Sequence, residues 1–97
     1  MTPTKLKSVF AFYLNDLDEG TPDIKPVQLT EEMAKLSFAY VGMERKIAHV
    51  KFMCVEGQKF VDEGRIDKAM HWLGCVQGVL WAVGRFPLDD LKNHSRP

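Results

Sequence analysis

The sequence predicts an all-α domain: a long antiparallel helical hairpin, an N-terminal helix packed across it, and a short C-terminal helix. Three observations carry this. Apolar residues recur at spacings of three and four through most of the chain, the period of a helix with one buried face. Gly20, Gly64 and Gly84 stand where those patterns stop. The interval Gly64-Arg65-Ile66 is short enough to turn one helix straight back on another.

The first helix is expected over about 4–19. Thr2 or Thr4 caps it, Pro3 is tolerated in its opening turn, and Leu6, Phe10, Tyr13 and Leu17 form its stripe. Thr21 to Leu29, with Pro22 and Pro26, reads as an extended connection. Thr30 caps the next helix, expected over 31–63, with Glu31 and Glu32 against the positive end of its dipole. Met33, Leu36, Tyr40, Met43, Ile47, Val50, Cys54, Gly57 and Val61 then make a coiled-coil-type seam. Ala34, Phe38, Val41, Ala48, Phe52 and Val55 widen it, and Gly42 and Gly57 are the places where this helix would bend or break. Asp67 is expected to cap a third helix over 68–83. Pro87 opens the last, over 88–93, with Asp89 and Asp90 at its start.

The third helix is apolar on almost every side, and Gly74, Gly78 and Ala82 recur at every fourth position along it. Residues four apart share a helix face, so these three make a shallow groove where another backbone can approach. A helix apolar all round is expected to be buried in this protein or against a partner.

Composition narrows the function classes. The chain has 97 residues, one domain by size, and 13 basic side chains against 13 acidic ones. A protein held on phosphates shows a basic surplus, so direct nucleic-acid binding is not expected. Lys5 and Lys7 precede apolar residues in the manner of a secretory signal, but Asn15, Asp16, Asp18 and Glu19 interrupt the run. His71 and Gln77 break the longest apolar stretch, which is short of the ~20 residues a membrane crossing needs. The expectation is a soluble, cytoplasmic protein with reduced cysteines.

No enzymatic constellation emerges. In the predicted hairpin Cys54 and Cys75 lie equidistant from the turn, with His71 one helical turn before Cys75 and Gln58 or His49 nearby. Such a set falls short of a zinc site, which uses four tetrahedral ligands, so the thiols read as small buried hydrophobes without metal or disulfide. Asp16 with Glu19, and Glu63 with Asp67, form no convergent magnesium set. Neither a phosphate loop nor a nucleophile motif is present, and no catalytic residue or cofactor is expected. Arg45, Lys46, His49 and Lys51 read as a solvated mixed-charge face. Trp72 and Trp81 read as core anchors, Tyr13 and Tyr40 as core rings with a wet hydroxyl. The Phe86–Pro87 bond is the slowly isomerising kind on which a prolyl isomerase acts, with trans expected at a helix start.

The block HWLGCVQGVLWAVGRFPLDDLKNHSRP, preceded by GRIDKAM, resembles small early-region proteins of lambdoid phages. Length and helical pattern within that group are most similar to the anti-RecBCD proteins. The resemblance implies a non-enzymatic modulator in the host cytoplasm. It would dock on the RecC subunit of the host RecBCD helicase–nuclease, so that linear phage DNA survives and recombines. It transfers no site residues. The candidate contacts come instead from the aromatic and arginine preference of interfaces: Trp81, Arg85, Phe86, Leu88, Leu91 and Arg96, with Phe10, Phe12 and Tyr13 on the first helix as a rival set. The alternative function is a homo-oligomeric phage counter-defence protein. Its seam from Met33 to Val61 would pair between chains, with Arg45 and His49 facing a sequestered small ligand.

Overall fold

Thr2 begins the first helix by accepting the Lys5 backbone N–H at 3.1 Å, and Pro3 follows at a position whose N–H needs no partner. In the computed structural model, which describes residues 1–96, this helix is α1, Pro3–Gly20. It ends when Thr21 returns its backbone N–H (2.8 Å) and its hydroxyl (2.7 Å) to the Leu17 carbonyl. Leu6, Val9, Phe10, Tyr13 and Leu17 are its buried face.

The connection from Thr21 to Thr30 opens with a turn over Pro22 and Asp23, closed by Ile24 N–H on the Thr21 carbonyl (3.2 Å), then runs on without regular structure, fastened along the following helix. Val27 N–H donates to the Ala48 carbonyl (3.1 Å), and Leu29 N–H donates to His49 Nδ1 (3.2 Å). The strongest fastening is Lys51. Its ammonium donates to the carbonyls of Thr21 (2.7 Å) and Ile24 (2.8 Å) and pairs with the Asp18 carboxylate at 2.8 Å. Lys51 is fully buried, which corrects its placement on a solvated face. Three oxygens converge on it, and a buried charge is tolerated only with such partners.

The helix expected over 31–63 is three pieces: α2 (Glu31–Ala34), one 3-10 turn (Phe38–Tyr40) and α3 (Met43–Asp62). Thr30 caps α2 as expected, accepting Met33 N–H at 3.2 Å. The chain leaves helical geometry at Ser37 (ψ 154°) and Gly42 (ψ 149°). The seam extends in sequence beyond the elements that cover it, and a short helix with no tertiary face to bury does not hold. Leu36, Phe38 and Met43 are exposed, and Tyr40 is 79% exposed rather than a core ring. Only Val41 is buried from this stretch.

Gly57 neither bends nor breaks α3. It is buried under the ring of Phe10, and a Cβ at this position would overlap that ring. The glycine therefore sets how closely α1 lies on α3.

Gly64 ends the hairpin's first arm with φ +77°, and a Schellman motif follows: Gly64 N–H bonds to Val61 (3.0 Å) and Arg65 N–H to Phe60 (2.8 Å). The loop passes directly into α4, Ile66–Ala82, so Arg65 and not Asp67 occupies the N-cap, and Asp67 sits in the first turn. The same motif ends α4. Gly84 has φ +78°, its N–H bonds to Trp81 (3.1 Å), and Arg85 N–H bonds to Leu80 (2.9 Å). Helix α5, Leu88–His94, closes the described chain after a trans Phe86–Pro87 peptide.

The core joins α1 to Val50, Met53, Cys54 and Phe60 of α3, and to Ala69, Leu73, Val76 and Leu80 of α4, with Leu91 from α5. The all-α hairpin with its N-terminal helix across it is the observed architecture. No helix among the described residues is long and apolar enough to cross a membrane.

Candidate docking groove

Helix α4 buries one stripe only. Ala69, Leu73, Val76 and Leu80 point inward, whereas Gly74, Cys75, Gly78, Trp81 and Ala82 are exposed. A Cβ added at Gly74 or Gly78 would meet no atom within 4 Å. The groove foreseen along the small residues is therefore open, and nothing among the described residues fills it.

Helix α5 supplies the second wall. Gly74, Gly78 and Trp81 of α4 face Leu88, Lys92 and Ser95 across an open space of about 460 Å³, with Gln77 and Leu91 at its base. Trp81 is 56% exposed, so it is not the core anchor expected, while Trp72 is half-buried edge-on to Phe60 at 4.8 Å. An exposed indole beside a flat apolar floor is the arrangement that dominates binding energy at interfaces. Lys92 has no ion-pair partner among the described residues.

The six candidate contacts separate into three groups. Trp81 and Leu88 border the groove, and Arg96 is exposed at the end of the described chain. Leu91 is 4% exposed and belongs to the core, so its side chain is spent within the fold. Arg85 and Phe86 hold the α4–α5 joint to α1. The Arg85 guanidinium forks onto both carboxylate oxygens of Asp16, with Nε to Oδ2 at 2.7 Å, and Phe86 packs against Tyr13 (5.8 Å) and His94 (5.0 Å). In the rival set Phe10 and Tyr13 are buried, and Phe12 alone is exposed, at 45%.

Under the groove lies a polar chain that sequence reasoning missed. Gln77 Nε2 reaches the Tyr13 phenol oxygen (3.0 Å), the Leu91 carbonyl (3.3 Å) and Ser95 Oγ (2.7 Å), and the phenol lies 2.9 Å from His94 Nδ1. Burial pushes the Tyr13 phenol upward against the opposing hydrogen bond from Gln77, so it keeps its proton at neutral pH. Its partners come from residues 14 to 81 positions apart, a separation no local pattern reports.

The two cysteines do not face each other. Cys54 is buried in the core and Cys75 is exposed. Position 75 lies between the inward-facing Leu73 and Val76 in sequence, and the helical rotation of about 100° per residue turns it to the opposite side. Burial and the Asp18 carboxylate push the Cys54 thiol up to about 12, which makes it a poor thiolate ligand or nucleophile. Among the described residues no three His, Cys, Asp or Glu side chains gather as a metal site. The seam proposed to pair between chains is partly used up within the monomer: Val50, Cys54 and Gly57 are buried in it. Comparison of the chain with protein families, curated proteins and solved structures gave no match.

Proposed function

We propose that this chain is a non-enzymatic docking domain that binds a protein partner through the α4–α5 groove. The observation that carries the reading is Trp81, half open to solvent beside two glycines whose missing Cβ atoms leave space that none of the described residues fills. A glycine inside a helix costs about 1 kcal/mol against alanine, and close approach of a partner offsets that cost. The rim adds Leu88 and Lys92, an aliphatic contact and a charge available to an acidic group.

The resemblance in the 64–97 block supplies the proposed partner: the RecC subunit of the host RecBCD nuclease. Docking there would alter how the machine handles DNA ends without any contact to DNA by this protein, in keeping with its zero formal net charge. Titration of the purified chain onto purified RecBCD, read by calorimetry and by degradation of linear duplex DNA, tests both halves. Saturable binding with loss of degradation, abolished by Trp81→Ala, is the expected result. Binding that survives Trp81→Ala and a bulky Gly78→Leu overturns the groove, and absence of any binding overturns the partner.

A further inference from the structure

The polar chain beneath the groove fixes its own proton positions. The Leu91 carbonyl can only accept, so the Gln77 atom 3.3 Å from it is the amide nitrogen. That same nitrogen, also 2.7 Å from Ser95 Oγ, lies 3.0 Å from the Tyr13 oxygen, and an amide nitrogen cannot accept, so the phenol must send its own proton elsewhere. The available acceptor is His94 Nδ1, at 2.9 Å. Nδ1 therefore carries no hydrogen, and the imidazole is neutral with its proton on Nε2.

This chain matters because little else holds α5. The helix has seven residues and buries one side chain, Leu91. Protonating His94 places a hydrogen on Nδ1. The phenol oxygen then faces two donors, and its own proton loses its acceptor. We propose that Gln77–Tyr13–His94 is a proton-operated latch: neutral His94 pins α5 to α1 and α4, and charged His94 releases it. His94 lies in the last turn of α5, four residues after Asp90, so its charge suits the helix itself and release concerns the packing of α5 on α1 and α4. From α1, Lys5 shares a recess of about 220 Å³ with His94 and already brings a positive charge, and Tyr13 is the other titratable group. Helix α4 presents only the neutral Gln77. The Arg85–Asp16 pair beside Phe86 is mutually satisfied. On α5 itself Asp89, Asp90 and Lys92 are exposed. The rings of Phe12 (5.0 Å, edge-on), Tyr13 (5.4 Å) and Phe86 (5.0 Å) pack around the imidazole.

Since α5 forms one wall of the groove, release would also dismantle the docking surface. That consequence rests on the proposed function, whereas the latch is tested without any partner. Amide exchange of the full chain, followed by NMR at pH 7.5 and 5.5 alongside the His94 ring signals, reads it directly. Protection factors of the hydrogen-bonded amides from Leu91 to His94 should fall about five- to tenfold as His94 charges, with α1, α3 and α4 core amides unchanged. His94→Asn retains an acceptor at the Nδ1 position but does not titrate, and should abolish the pH response. Tyr13→Phe cuts the chain in both states, so its α5 should be poorly protected at pH 7.5 and insensitive to pH. Undiminished α5 protection after His94 charges overturns the latch. An unaltered pH response of α5 in either variant overturns it as well.

Discussion

Two helix faces of this protein carry glycine, and only one of them is finished. On α3, the space left by the missing Cβ of Gly57 is filled by the Phe10 ring from α1. On α4, the corresponding spaces at Gly74 and Gly78 are empty, and the neighbouring indole is left half exposed. The same residue type thus records two different kinds of close approach. One lies within the chain and builds the fold. The other stays open, and it is the one through which the proposed docking would take place.

The comparison breaks most decisively at its closed end. Phe10→Ala removes the ring over Gly57 and should cost about 3–5 kcal/mol in urea unfolding. Gly57→Ala, a change of one methyl group, should cost about 1–3 kcal/mol by forcing that ring aside. The contrasting pair sharpens it. Gly74→Ala and Gly78→Ala should each stabilise the isolated chain, by up to about 1 kcal/mol, because the added methyl meets nothing and the helix gains propensity. A loss of stability at either site comparable to that at Gly57 would mean that the α4 face is also closed. Trp81→Ala should leave unfolding within about 0.5 kcal/mol of the parent, while weakening partner binding at least about tenfold.

The smallest effect tests the fastening of the linker. Burial holds His49 below the ordinary imidazole range, and its Nδ1 accepts the Leu29 N–H. The unfolded chain therefore binds a proton at this residue more readily than the folded one. The associated stability is complete above a pH of about 6.5 and declines as pH falls below it. Urea midpoints at pH 7.5 and 5.5 should show that decline, and His49→Asn should reduce it. Because His49 lies on α3 against the linker, its effect is separable by site from any change in α5.

Where local chemistry decides the structure, the sequence was legible. Thr2, Thr30, Gly64 and Gly84 mark the helix ends and the hairpin turn at their observed places, since caps and left-handed turns depend on one or two residues. The heptad seam misled over residues 35–42. Its periodicity continues through Leu36 and Tyr40, but no other described element reaches far enough to cover them, and periodicity cannot report where a partner helix stops. Lys51 was illegible for the opposite reason: its three oxygen partners are Asp18 and two carbonyls of an irregular segment. The groove was half legible. The spacing of Gly74 and Gly78 announced it, but the wall contributed by Leu88, Lys92 and Ser95 depends on how α5 folds back.

Lys51 has a consequence for how the molecule responds to its solution. Exposed pairs such as Lys7 with Asp62 sit in water, where mobile ions screen them within a Debye length of about 8 Å at physiological ionic strength. The Lys51 ammonium is closed off from those ions, and two of its three bonds are to neutral carbonyls that salt does not compete for. The linker's path across α3 thereby depends on ionic strength only through the half-exposed Asp18 carboxylate, and concentrated salt should loosen the surface pairs of this domain while leaving that crossing in place.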